Sequence, residues 1–344
     1  MAAKLKSKHL HFSAVFTLLL LTGIIHAQAP PANYDESKVG TYTLPDPLVF
    51  NNGAPVRTPR DWAKRRQEIL ELFRTNVYGR SPQPPKNIRF KVFDLDRHAL
   101  GGKAIRKQIT IYFSAKDDGP KEDVLLYLPS TARKPVPVIL SLNFSGNQSV
   151  TSDPGVRLGT IWEPKTHVRR QATEDSRGRD HGFDVEKTLA HGYGFATIYY
   201  QDIEPDFDGG YRFGIRPLFF KAGQTEAAPD QWGAIGAWAY GLSRAMDYLE
   251  KEHAIDARRV AVMGHSRLGK TVLWAGAQDP RFAMVLSNCP GEGGASLARR
   301  NYGETIASLV ARFGYQFAGN LKQYADHVDK LPVDTHELIA LIAP

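Results

Sequence analysis

The chain has 344 residues, of which 42% are hydrophobic, and a formal net charge of +8. This length supports one large domain or two small ones, and the composition excludes a chain that is disordered throughout. Cys289 is the single cysteine, so no disulfide forms within the chain. The basic residues are spread out, which argues against a nucleic-acid partner. No zinc-type Cys/His spacing, HExxH motif or EF-hand loop occurs, and we expect neither a metal nor another cofactor.

Residues 1–27 have the pattern of a secretory signal peptide. Lys4, Lys6 and Lys8 precede an uncharged apolar stretch at 12–25, which is too short for a comfortable membrane span. We expect cleavage after Ala27. Removing these three lysines from the net charge of +8 leaves a mature chain near +5. We therefore expect a secreted or periplasmic protein, monomeric and without stable membrane insertion.

Residues 28–87 are predicted to form an N-terminal extension followed by a helix. The extension is rich in Pro, Gly and Asn up to about residue 55, and helical spacing of apolar residues follows at 60–78. Three alternating runs then predict antiparallel strands with one solvated face, at 89–93, 109–113 and 124–128.

Beyond residue 128, short apolar runs alternate with helical segments. Such alternation predicts a largely parallel sheet with both faces buried by helices. The last run ends almost at the C-terminus, so we predict that the final strand or strands of this sheet are missing. The predicted strands lie at 136–142, 194–200, 260–263, 284–286 and 338–342, and the helices at 185–191, 231–252 and 268–277.

The sequence GHSRLGK at 264–270 follows a predicted strand and precedes a predicted helix. A Gly-x-Ser-x-x-Gly turn in this position is typical of a nucleophile elbow, which holds a serine in a strained conformation above the sheet edge. Ser266 is therefore the candidate nucleophile, and the alternative is a Gly-rich turn with an unreactive serine. We predict an α/β-hydrolase fold for residues 88–344, a three-layer sandwich with antiparallel N-terminal strands and a mostly parallel sheet.

Two further features of this region point to acyl chemistry on an anionic substrate. The backbone N–H of Arg267 and the loop that begins at Asn143 are predicted to form the oxyanion hole. Cations are unfavourable at the N-terminus of a helix, so Arg267 and Lys270 suggest a functional role, such as pairing with a charged sugar substituent.

The acid and the base of a serine hydrolase are harder to place. Glu292, in a Gly-rich stretch after the strand at 284–286, is the candidate acid, and the alternative is a loop carboxylate that faces water. The histidines that follow Ser266 are His327 and His336, and a structural or surface role is favoured for both. We therefore predict a truncated, nearly inactive chain whose catalytic histidine is absent.

The motif at 264–270 resembles the Gly-x-Ser-Arg-x-Gly-Lys signature of the glucuronoyl esterases, family fifteen of the carbohydrate esterases. The resemblance implies an esterase that cleaves 4-O-methyl-glucuronoyl esters between xylan and lignin alcohols. It implies Ser266 as nucleophile, Arg267 as oxyanion support, and Lys270 and Glu304 as contacts of the uronate ring. Cys289 departs from the family, which often places its acid there. Segments similar to the bacterial branch lie at 142–147, 232–249, 291–304 and 331–339.

Two other functions stay open at this point. The first is a carbohydrate acetyl esterase, acting on xylan, with the same fold. The second is an inactive binding protein that retains the sugar pocket. Glu304 has two expected roles as well, since it can accept hydrogen bonds from sugar hydroxyls or pair with Arg267.

Overall fold

The structure is a computed structural model that describes residues 32–85 and 88–343, so the predicted signal peptide lies outside it. The strands are β1 (Arg89–Ala99), β2 (Ala104–Tyr112), β3 (Lys121–Pro129), β4 (Val136–Asn143), β5 (Thr160–Trp162), β6 (Arg169–Gln171), β7 (Gly194–Tyr199), β8 (Ile255–His265) and β9 (Met284–Asn288). The helices are α1 (Pro59–Asn76), α2 (Val185–Ala190), α3 (Tyr200–Ile203), α4 (Ala234–Leu249), α5 (Arg267–Gln278), α6 (Ile306–Phe313) and α7 (Thr335–Ala340).

Seven strands form one sheet in the order β1-β2-β3-β7-β4-β8-β9, and β5 pairs with β6 in a separate hairpin. The pairs β1–β2, β2–β3 and β3–β7 are antiparallel. The pairs β7–β4, β4–β8 and β8–β9 are parallel. This confirms the predicted order, in which antiparallel strands lead into a parallel sheet. The carboxyl ends of β4, β7, β8 and β9 meet at one edge, where α/β sheets place their ligand sites.

The central sheet is buried on both faces, as the apolar runs predict. Alternate residues of β3 point to opposite faces, so Leu126 belongs to a large core that includes residues of α1, α4 and α5. Leu125 and Tyr127 belong to a smaller core that includes Val185 of α2. Helices therefore cover both faces, which confirms the predicted three-layer sandwich.

Helix α1 connects the N-terminal segment to the C-terminal part of the chain. It begins after Thr58, whose hydroxyl accepts from the Asp61 N–H at 3.1 Å in an N-cap. Arg65 is buried and pairs with Glu337 of α7 at 3.3 Å. Arg66 donates to the carbonyls of Leu341 and Ala277, at 2.9 and 2.8 Å. These bonds fasten α1 to the C-terminal ends of α5 and α7.

The predicted strand at 338–342 is wrong, because these residues belong to α7 and the turn after it. Asp334 and Glu337 form a capping box that starts the helix. Leu338 and Leu341, three residues apart, both face the core while Ile339 is 48% exposed, which is helical rather than strand-like burial. Residues 338–342 therefore do not form a strand of the sheet. At the parallel end of the sheet, the edge among the described residues is β9.

Among residues 32–85 and 88–343, none of the helices has the length and apolar composition that a membrane crossing requires.

Candidate active site

Ser266 lies at the turn between β8 and α5 with φ of 56° and ψ of −125°. A positive φ is strained for a residue with a side chain, and such strain is often found at functional sites. The turn is held by the Ser266 N–H, which donates to the Asn288 carbonyl at 2.9 Å. Glycine is required at 264, since a Cβ there would lie 2.2 Å from the Leu268 carbonyl oxygen. The predicted strained strand–helix turn is therefore confirmed in geometry.

Arg267 is held beside the serine by a buried carboxylate, Asp206. The guanidinium pairs with Asp206, whose side chain is only 3% exposed. Asp206 also accepts from the hydroxyls of Tyr200 and Tyr315, at 2.7 and 2.8 Å, and from the Gln316 amide at 2.8 Å. One carboxylate thus receives four donors from three separate parts of the chain. Asp206 was missed from the sequence, because nothing in the motif indicates a partner 61 residues away.

Phe144 and Ser145, which follow β4, and Arg267 line one cavity of about 380 Å³. This is where the oxyanion loop was predicted. Asn143 itself is fully buried, and its amide donates to Asn147 and to Thr197, at 2.8 and 3.0 Å. Its side-chain oxygen accepts from the Gly146 N–H at 2.8 Å. The Asn143 side chain thus shapes the loop, and any contact with a substrate would come from the residues that follow it.

Lys270 lies one helical turn beyond Ser266, and only 6% of it is exposed. Burial lowers the pKa of Lys270, while the negative charges of Glu304 and Glu292 oppose that change. A Cβ on Gly291 would lie 3.8 Å from both Lys270 Nζ and Glu304 Oε2, so the two groups border the same loop. Glu304 itself pairs with Arg312, and the expected alternative of a Glu304–Arg267 pair is not observed.

Glu292, the candidate acid, is buried near this lysine and does not face solvent. It is 2% exposed, and among the described residues its Oε1 has no hydrogen-bond partner. Burial raises the pKa of Glu292 to about 8, with further contributions from the charges of Asp334 and Glu304. A carboxyl that is largely protonated at neutral pH does not stabilise an imidazolium, so this environment does not favour the predicted role of Glu292.

The histidines that follow the serine are engaged or exposed elsewhere. His336 Nε2 bonds with the Pro45 carbonyl at 2.8 Å, and His327 is exposed. Cys289 is exposed, with its thiol 3.3 Å from the Asn288 side chain. Within residues 32–85 and 88–343, no hydrogen bond joins the Ser266 hydroxyl to a histidine. The same residues contain no group of His, Cys, Asp and Glu side chains arranged to hold a metal ion.

Comparison with known proteins agrees with the resemblance of the motif at 264–270. Residues 223–344 match the family model for fungal glucuronyl esterases. Carbohydrate esterase MZ0003, from an unknown prokaryotic organism, is 47% identical over 326 residues, covering 93% of this chain and 75% of that protein. The solved glucuronoyl esterase from Solibacter usitatus shares 53% identity with a TM-score of 0.87, covering 90% of this chain and 79% of that one.

A more distant relative is the 4-O-methyl-glucuronoyl methylesterase of Podospora anserina, 28% identical over 88% of this chain. The chain spans 53% of the length of that enzyme. The identity and coverage of the bacterial relatives decide the assignment. The chain belongs to the glucuronoyl esterase family, carbohydrate esterase family 15, and is of the bacterial type.

Proposed function

We propose that this protein is a serine esterase that cleaves 4-O-methyl-glucuronoyl esters between xylan and lignin alcohols. The observation that carries the proposal is the strained Ser266, with the clamped Arg267 on one side and the buried Lys270 on the other. The names of relatives such as the Podospora enzyme supply the substrate class. In this proposal, residues 1–27 act as an export signal and residues 88–344 form the catalytic domain.

In the proposed reaction, Ser266 Oγ attacks the ester carbonyl while its proton passes to a base. The negative charge that develops on the carbonyl oxygen is stabilised by the Arg267 N–H, by its guanidinium and by the loop after β4. The C–O bond to the alcohol breaks, and the alcohol leaves with the transferred proton. Water then attacks the acyl-enzyme, and release of the uronic acid restores the serine hydroxyl.

The uronate ring is assigned to the side of the serine where Lys270 and Glu304 border one loop. Lys270 donates to ring hydroxyls, and Glu304 accepts from them. At neutral pH Glu292 is largely uncharged because its pKa is raised to about 8, so the charge of Glu304 is the main support for the positive charge of Lys270. These two groups suit a glucuronoyl ester, whose acyl part carries a sugar ring with hydroxyls, better than an acetyl ester, whose acyl part carries no ring.

Turnover is proposed to be slow, because no described histidine contacts Ser266. Loss of one triad member typically removes most of the catalytic advantage, and the oxyanion hole retains a residual part. A small base added from solution can take over the missing step if there is room beside the hydroxyl. Imidazole, which is half-protonated near neutral pH, is the natural choice.

Hydrolysis of benzyl glucuronate measured against imidazole concentration tests the proposal. We expect little turnover without imidazole, a rise with imidazole in the wild-type chain, and no rise in Ser266→Ala. An equal rise in both proteins would exclude serine catalysis. Acetylated xylan serves as the second substrate, and faster imidazole-dependent release of acetate would favour the acetyl esterase. Binding of glucuronate without imidazole-dependent hydrolysis would favour a binding protein.

A further inference from the structure

A second cavity, of about 690 Å³, lies on the opposite side of the β5–β6 hairpin from the cavity lined by Phe144, Ser145 and Arg267, which we call the active-site cavity. In β6, Arg169 and Gln171 line this second cavity, whereas Arg170 between them lines the cavity that contains Arg267. Alternate residues of a strand point to opposite faces, so the hairpin is a wall between the two spaces. We call the second cavity the distal cleft. It plays no part in the chemistry described above.

The distal cleft is lined by more cations than carboxylates. The cationic side chains are Lys121, Arg157, Arg169 and Arg212, and the acidic ones are Asp118, Asp123 and Asp202. Burial raises the pKa of Asp202 to about 8, with a contribution from the charge of Asp123, so Asp202 is largely neutral at pH 7. The cleft therefore carries a net positive charge.

Two of these cations remain available to a ligand. Arg157 pairs with Asp123, and Arg169 lies 3.3 Å from Asp202. In contrast, neither Lys121 nor Arg212 has a carboxylate within 4.0 Å among the described residues. Lys121 Nζ donates to the Asp117 backbone carbonyl at 3.0 Å, and the Arg212 guanidinium lies 5.1 Å from the Tyr211 ring centre. An anionic group entering the cleft would meet two cations without displacing an ion pair.

An exposed aromatic ring lies in the same cleft. Phe213 is 60% exposed, although a side chain of this size is usually buried. Its ring is supported from behind by Trp162, with centroids 5.3 Å apart, and Trp162 in turn packs on Phe207 of the active-site cavity. Leu218, which is 40% exposed, lines the same cleft, so the exposed apolar surface is a patch and not a single side chain, as is common at binding surfaces. Together, Phe213 and the unpaired cations match a ligand with an apolar face and a carboxylate.

We infer that the distal cleft is a second binding site for a uronate-bearing saccharide, whose ring packs on Phe213 and whose carboxylate pairs with Arg212 and Lys121. The inference rests on the proposed function for the choice of sugar, since a polysaccharide with several uronate branches would present one to each site. The aromatic rings of Phe207, Trp162 and Phe213 connect the two cavities, so one chain can extend across the hairpin. This arrangement would retain a polymeric substrate between encounters with the serine.

Calorimetric titration of the Ser266→Ala chain tests the inference without turnover. With a glucuronate-branched xylo-oligosaccharide at low salt, we expect two sites per chain. Lys121→Gln combined with Arg212→Gln should weaken the distal site at least tenfold and leave the other site unchanged. Phe213→Ala should weaken the same site. Arg258→Gln, at an arginine that is 93% exposed outside the cleft, is the matched control and should change neither site.

The outcomes separate this inference from the proposed function. Lys270→Gln should remove the catalytic-pocket site alone, so a distal site that persists supports the inference even if the pocket binds nothing. A single site that Lys270→Gln abolishes would overturn it. Equal binding of the unbranched xylo-oligosaccharide at the distal site would overturn the role of the carboxylate. A folded double variant, verified by circular dichroism, that still binds at two sites would overturn it as well.

Discussion

Replacing Ser266 by glycine should stabilise the fold relative to replacing it by alanine. Both variants lack the hydroxyl and differ only in one methyl group, which the backbone conformation at φ of 56° and ψ of −125° disfavours. Such a conformation costs roughly 1–3 kcal/mol for a residue with a Cβ, and almost nothing for glycine. Against this, glycine lowers the free energy of unfolding by about 0.5–1 kcal/mol relative to alanine, because the unfolded chain gains conformational freedom. We therefore expect Ser266→Gly to exceed Ser266→Ala in free energy of unfolding by about 1 kcal/mol.

Urea denaturation followed by tryptophan fluorescence measures this difference directly. The matched control is Ala63→Gly, at an exposed position inside α1, where the same change should destabilise by about 1 kcal/mol. The sign of the alanine-to-glycine difference should thus reverse between the two positions. If Ser266→Ala were as stable as Ser266→Gly, the turn would hold no strain and the elbow argument would lose its physical basis.

Two other predictions concern the buried acids near the serine. Asp206→Asn should reduce imidazole-supported turnover about tenfold to hundredfold by releasing the Arg267 guanidinium, and this loss should largely vanish when measured in the Arg267→Ala background. An undiminished loss there would mean that Asp206 acts through the fold. For Glu292, whose folded pKa is raised to about 8, the folded chain holds a proton that the unfolded chain has released. The wild type should therefore lose stability relative to Glu292→Gln as the pH rises from about 5 to about 9, by about 1.4 kcal/mol for each unit of raised pKa, and parallel curves in urea would contradict the assignment.

The strained turn at Ser266 was predictable because it is local. A strand, two glycines around a serine and a helix determine each other within a few residues, so GHSRLGK was sufficient. The anchoring of Arg267 was not predictable in this way. Asp206 follows β7 and Arg267 follows β8, so their ion pair forms only when the sheet is assembled. No pattern in one sequence specifies that contact. Glu292 was predicted as the catalytic acid from its position after a strand, but its burial, which does not favour that role, depends on how the loop folds near Lys270.

The C-terminal error has a different cause. The apolar run at 338–342 has the length of a strand, and periodicity alone does not separate a short buried strand from a short helix. The deciding signal was the preceding Asp334-Thr335-His336-Glu337, which has the spacing of a capping box. A capping box at 334–337 predicts a helix that begins at residue 335.

The ion pair between Arg65 and Glu337 affects which fragments of this protein can fold stably. Its two residues are separated by 272 positions, and both are almost wholly sequestered from solvent. A fragment that starts at the first strand would lack the arginine and leave the buried Glu337 without its ion-pair partner, a defect of roughly 3–5 kcal/mol. Helix α1 therefore stabilises the proposed catalytic domain from outside its boundary, and we expect a fragment that begins at residue 88 to be less stable than the whole chain.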